Sequence, residues 1–148
     1  MQDSAFVLIT DSEFFLSHLR AKDKKIGLPG GKIESGESPL NAAIRETKEE
    51  YNIDLDQNNL EELGYVEYNG SKLYLFKYKV DKKTFNKFVN KFIDHLPDVK
   101  NEILGPMYGR MVPEITVMFD FHPGARKQLE DLVFHKKIIP WWEKVCNE

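Results

Sequence analysis

The sequence predicts a single domain of mixed α/β class, with α+β the nearest alternative. Three observations predict it. Apolar, β-rich runs are paired about short turns, stretches of helical period lie between and after them, and the 148 residues contain no linker, repeat or low-complexity segment.

Taken in order, AFVLIT (Ala5 to Thr10) reads as a buried strand, Asp11-Ser12 as a turn, and EFFLSHL (Glu13 to Leu19) as the partner strand of a hairpin. The charged run RAKDKK follows as a loop. IGLPGGKIESGES is then a loop or short strand dominated by Gly30, Gly31 and Gly36, with Pro29 ahead of them. Ser38 before Pro39 is a helix start, because the hydroxyl caps an orphan amide and proline tolerates the first helical position. That helix runs to Tyr51. Asn52 follows, and after glycine asparagine best accepts the left-handed conformation of a helix end.

NLEELGYVEY and SKLYLFKYKV flank Asn69-Gly70, the strongest short hairpin signal a sequence offers. Phe85, Phe88, Val89 and Phe92 predict an amphipathic helix from Lys82 to His95, closed by Leu96-Pro97. Gly105, Pro106 and Gly109 read as a loop, and EITVMFDF (Glu114 to Phe121) as a strand. Ala125, Leu129, Leu132 and Val133 mark a last helix from Pro123, broken at Pro140 before the tail WWEKVCNE.

Composition narrows the function classes. A chain of this length buries about two thirds of its unfolded surface and needs no disulfide framework. The single cysteine, Cys146, has no partner within the chain and reads as inert packing or tail. No run approaches a membrane span and no basic region precedes the first apolar run, so the expectation is a cytoplasmic protein with no membrane partner. A net charge of −3 with both signs interspersed disfavours bulk nucleic-acid binding.

The chemistry gathers in RETKEEYN, Arg45 to Asn52. At about 100° per residue, Leu40, Ile44, Thr47 and Tyr51 form the core stripe of this helix. Glu46, Glu49 and Glu50 share a separate arc, with Lys48 and Asn41 toward solvent. Like charges at these spacings repel, and only Arg45, four residues before Glu49, offsets them. Ala42 and Ala43 one turn below are expected to leave room for an approaching ligand. An exposed acidic helix is the bland reading. The glycine loop immediately upstream, together with Glu37, favours instead a divalent cation beside a phosphoester or pyrophosphate, because glycine amides approach phosphate closely.

From Gly31 to Ile53 the residues Gly31, Glu37, Arg45, Glu46, Glu49 and Glu50 follow the Nudix box, Gx5Ex7REUxEExGU with U aliphatic. The chain therefore resembles the Nudix hydrolases, which cleave a nucleoside diphosphate linked to another moiety. Asn52 replaces the box glycine and Thr47 its aliphatic residue, and neither change removes a ligand. The resemblance implies an α/β/α sandwich with a mixed sheet. It implies Mg²⁺ or Mn²⁺ held by Glu46, Glu49, Glu50 and a backbone carbonyl near Gly31, with Arg45 orienting Glu49 and Glu37 joining the metal or water network. In this family a glutamate from a later loop sometimes acts as base, which makes Glu102 the candidate. Arg20 stands where many members hold a phosphate-contacting arginine, Gly30 and Gly31 belong to the phosphate loop, and Tyr68 lies where some dinucleoside polyphosphate hydrolases place a tyrosine.

The expected substrate is a small nucleotide, first a nucleoside triphosphate cleaved to monophosphate and pyrophosphate. Dinucleoside polyphosphates, ADP-ribose and capped RNA are the other candidates, and a nucleotide-binding sensor without turnover is the alternative from another class. A homodimer is left open. The remaining signals are weaker. DLDQNNLEEL fails as a calcium loop for want of its glycine and terminal glutamate. His18, His95, His122 and His135 lack ligand spacing and read as structural. Asn69-Gly70-Ser71 serves as a turn, and Trp141 and Trp142 read as packing of the last segment.

Overall fold

The computed structural model describes residues 2–140 and 142–143. Cys146 and Trp141 lie outside them, and Trp142 is exposed. Seven strands, β1 (Ser4–Thr10), β2 (Phe14–Arg20), β3 (Ile26–Gly27), β4 (Gly30–Lys32), β5 (Leu60–Tyr68), β6 (Ser71–Lys79) and β7 (Ile103–Arg110), form one mixed sheet. The helices are α1 (Pro39–Tyr51), α2 (Lys82–Val99), the single turn α3 (Ile115–Met118) and α4 (Pro123–Gln128), which runs on as a wider turn through Leu129–Val133.

Strand order is β3-β2-β1-β6-β5, with β1 and β6 parallel and β7 antiparallel to β2. The predicted first hairpin forms but opens at once: β1 and β2 register only at Thr10 and Phe15. Into the opening goes the glycine-rich segment, β3 pairing with β2 and β4 with β1, while the Val7 N–H donates to Pro29 O at 2.9 Å. Gly30 allows this insertion, since a Cβ there would overlap the Ala5 carbonyl.

Apolar side chains cover both sheet faces. Ala5, Val7, Ile9 and Phe76 pack with Ala42, Ala43, Tyr51, Phe85 and Phe92 of α1 and α2. On the other face Leu8, Phe15 and Leu75 pack with Ile115, Phe121, Ala125 and Leu129. The result is the expected α/β/α sandwich with a mixed sheet.

Several expectations are corrected. α2 passes through Pro97 to Val99 rather than stopping at His95. Pro97 forfeits one hydrogen bond two residues before the helix end, and tertiary contacts such as His95 to the Glu49 carbonyl (2.9 Å) hold the last turns. The predicted loop at Gly105, Pro106 and Gly109 is strand β7. Pro106 sits opposite His18 in a strand with β2 as its paired neighbour, where a lost donor is harmless. Gly109 faces Phe15, whose ring would overlap any Cβ. The predicted strand Glu114 to Phe121 is instead the turn α3 followed by a single bridge from Phe121 to Ile26. There Ile115 and Thr116, adjacent in sequence, are both buried, and the Thr116 hydroxyl donates to Pro113 O at 2.9 Å, a local bond that competes with extension.

Candidate active site

The caps of α1 aim its acidic arc. Ser38 Oγ accepts from the Asn41 N–H at 3.1 Å, and Asn52 adopts φ 59° and ψ 34° with its N–H on Lys48 O. Thr47 is fully buried and turns its hydroxyl back to Ala43 O at 2.8 Å, so a polar residue serves in the core stripe without an unpaired donor. Tyr51 locks the other end: its hydroxyl lies 2.7 Å from His18 Nδ1, and its ring stacks on Phe92 at 3.9 Å. Ala42 and Ala43 do not face a ligand. Both are buried against the sheet, and their small size brings α1 close to β1.

Set in this way, α1 presents Glu46, Glu49 and Glu50 beside β4. The Glu50 carboxylate accepts the Gly30 N–H at 2.7 Å. A Cβ on Gly31 would stand 2.6 Å from the Glu46 carboxyl carbon, so the glycine makes room for that carboxylate. Arg45 reaches backward from the helix: it donates to Glu37 from Nε (2.8 Å) and Nη2 (3.0 Å), to Glu46 (3.0 Å), to Glu49 (3.3 Å) and to the Lys32 carbonyl (3.1 Å). Arg45 thus grips Glu37 more closely than Glu49, and Glu37 also takes the Glu34 N–H at 3.0 Å.

These contacts divide the carboxylates into two kinds. Hydrogen bonds from Arg45, then from the Glu34 N–H, hold Glu37 down to about 2. Burial raises Glu46 in spite of Arg45. Burial first, then repulsion from Glu46, Glu102 and Glu49, pushes Glu50 up to about 8 although the Gly30 N–H opposes it. The protein alone therefore stabilises negative charge on Glu46 and Glu50 poorly.

Glu102 joins them from the turn between α2 and β7. Its carbonyl accepts the Ala21 N–H at 2.9 Å, which anchors the turn after α2 to the end of β2. Glu46, Glu49, Glu50, Asp98, Asn101 and Glu102 line one recess of about 400 Å³. Glu50, Asn101 and Glu102 also line a neighbouring cavity of about 570 Å³, whose walls include Arg20, Gly30, Gly31 and Tyr68. Every residue singled out from sequence as binding substrate lies on that cavity.

An all-oxygen, anionic donor set of this kind fits a hard divalent cation, whose charge would relieve the raised proton affinity of Glu46 and Glu50. Among the described residues no three acidic, histidine or cysteine side chains form a ready metal cage. The oxygens of these carboxylates are engaged by protein donors, Glu46 and Glu49 by Arg45 and Glu50 by the Gly30 N–H.

Residues 1–106 match the NUDIX domain model. The chain belongs to the Nudix family. Nudix proteins in the solved structures share its fold. A MutT Nudix hydrolase from Burkholderia pseudomallei has a TM-score of 0.61 at 18% identity, covering 89% of this chain and 97% of that one. A MutT protein from Bacillus halodurans has a TM-score of 0.60 at 19% identity, over 93% and 86%. A MutT/Nudix family protein from Enterococcus faecalis matches with a TM-score of 0.50 at 19% identity over 53% of this chain, which spans 36% of that longer one. No curated protein matches. As a member of the Nudix pyrophosphohydrolase family, this chain belongs with enzymes that are typically divalent-metal dependent and act on small nucleotides. No helix among the described residues is long and apolar enough to cross a membrane.

Sequence reasoning missed several walls of this Nudix cavity. Lys22 and Lys32 add positive charge near Arg20, and Phe6, Asn101 and Gln128 were not singled out. His122 lines the cavity edge-on to Tyr68 at 5.6 Å. For Gln128 a signal existed: it occupies the apolar stripe Ala125, Leu129 and Leu132 of the last helix, where an amide is out of place.

Proposed function

We propose that this chain is a Mg²⁺- or Mn²⁺-dependent hydrolase of a nucleoside diphosphate derivative, with nucleoside triphosphate cleaved to monophosphate and pyrophosphate as its first substrate class. The observation that carries the reading is the shared wall of Glu50, Asn101 and Glu102, which joins an acidic recess to a cavity with a basic side. A nucleotide whose base enters the cavity has its phosphates beside the carboxylates. The cavity volume suits one nucleotide.

Glu46, Glu49 and Glu50, with a backbone carbonyl near Gly31, would hold the cation. When bound, it neutralises phosphate oxygens and lowers the pKa of water. The chain's own residues do the rest. Arg20, Lys22 and Lys32 on the same cavity offer positive charge to the phosphates, and Gly30 and Gly31 let the backbone come close. Glu102 takes the proton of the attacking water as the new P–O bond forms and the bridging P–O bond breaks, so the pyrophosphate leaves with the electron pair. Arg45 positions Glu46 and Glu49, and through Glu37 it ties the loop to the helix.

The test is a panel of nucleoside triphosphates, dinucleoside polyphosphates, ADP-ribose and capped RNA with Mg²⁺ or Mn²⁺, following monophosphate, phosphate and pyrophosphate. Monophosphate and pyrophosphate in equal amounts from a triphosphate is the expected result. Nucleotide binding without turnover on every member would replace this reading with that of a sensor.

A further inference from the structure

Gln128 stands out among the cavity residues. It is a polar side chain in the apolar stripe of the last helix and is 1% exposed, yet it lines the cavity with Phe6, Tyr68, Leu73, His122 and Ala125. Burying an amide without partners costs a few kcal/mol, so both ends of the group must be accounted for. Its hydrogen bonds to the protein both leave from Nε2, to the carbonyls of Leu73 and Tyr74 on β6, at 3.3 Å each. Two carbonyl partners fix which end of the amide is nitrogen, because a flipped group would set oxygen against oxygen. The end left over is Oε1, an acceptor. No sealed side-chain nitrogen or oxygen among the described residues lacks a partner, so Oε1 is not shut into packed core, and the open space that Gln128 borders is this cavity.

Resting on the nucleotide reading above, we propose that Gln128 determines base specificity, its Oε1 accepting a hydrogen bond from the exocyclic amino group of adenine or cytosine. The surroundings suit this role. Tyr68, Phe6 and Leu73 offer aromatic and apolar surface to a base, whereas the cations Arg20, Lys22 and Lys32 on the same cavity suit phosphate. The amide is held by backbone rather than by mobile side chains, so it cannot rotate to offer its N–H groups to a keto oxygen without abandoning both carbonyls. A keto group at the same place would set one acceptor against another, so neither would gain the hydrogen bond that the amino group makes.

The experiment compares kcat/KM on two matched pairs, adenosine against inosine triphosphate and cytidine against uridine triphosphate, for the wild-type chain and for Gln128→Met. The wild type is expected to favour the amino member of each pair by about 10- to 100-fold. Gln128→Met is expected to bring the two members within about threefold, mainly by losing rate on the amino member. A ratio taken within one preparation does not depend on the fraction of folded enzyme, so a partly unfolded variant still answers the question. Equal rates on both members by the wild type, or an unchanged ratio in Gln128→Met, would overturn the assignment. If none of the four is hydrolysed the triphosphate reading falls, and calorimetric binding of the same four nucleotides then decides: an amino-to-keto preference in Kd keeps the role of Gln128, and equal or absent binding removes it.

Discussion

Arg45 and Glu37 are joined by two hydrogen bonds, 2.8 Å from Nε and 3.0 Å from Nη2, in the forked geometry that a guanidinium makes with a carboxylate. This pair fastens the loop after β4 to the middle of α1, so the carboxylates of the helix and the glycines of the loop keep one spacing. Arg45→Lys retains the charge and loses the fork. Metal affinity or kcat is expected to fall by about 10- to 100-fold, as for other groups that orient ligands. A metal titration beside the rate measurement separates the two, and a variant with unchanged affinity and rate would contradict the positioning role.

Glu49 is the exposed member of the acidic arc, its side chain 57% accessible, and its bonds to protein come from Arg45. Glu49→Gln is therefore expected to leave the melting temperature within a degree or two while lowering kcat by about three orders of magnitude, the worth of several kcal/mol of charge stabilisation. Full activity in this variant would remove Glu49 from the ligand set.

The buried His18 connects stability to pH. Burial first, then the charge of Arg20, lowers it from 6.5 to about 4, and its Nδ1 lies 2.7 Å from the Tyr51 hydroxyl. A base with a depressed folded pKa stabilises the fold above its unfolded value and loses that contribution as pH falls. Stability should thus decline from about pH 6.5 down to about pH 4, by about 3 kcal/mol in all. Denaturant unfolding at several pH values, with His18→Gln as reference, isolates this slope. Parallel curves for the two proteins would show that His18 does not supply it.

Asn52 ends α1 in the left-handed region at φ 59°. Asn52→Gly is expected to be nearly neutral, because glycine reaches that conformation freely. Asn52→Ala should cost about 1 kcal/mol, the penalty of a Cβ at positive φ. Equilibrium unfolding of the two variants gives the comparison, and equal stabilities would mean that the cap conformation is not limiting.

The elements set by near neighbours were legible in the chain itself. Ser38, Pro39 and Asn52 bound α1 to the residue, and Asn69-Gly70 places the second hairpin turn with positive φ at both positions. The carboxylate arc was legible for the same reason, since helical period alone puts Glu46, Glu49 and Glu50 side by side. Misreadings arose where a distant partner overrides local preference. Gly105, Pro106 and Gly109 look like a loop until β2 offers them a ladder and Phe15 claims the space above Gly109. Ile115, Thr116 and Val117 look like a strand until the Pro113 carbonyl takes the threonine hydroxyl.

By itself, then, the sequence determined the helix that carries the acidic residues, the turns that flank it, the family and the candidate ligands, because periodicity, caps and glycine positions act over a few residues. Only the tertiary structure decided that Ala42 and Ala43 serve the core and that Arg45 holds Glu37 more closely than Glu49. It alone brought Glu102, Tyr68 and Gln128 to the wall of one cavity with Arg20. Those relationships join residues as far apart as Arg20 and Gln128 and depend on how a splayed hairpin admits the glycine segment, a matter of packing that no local pattern encodes.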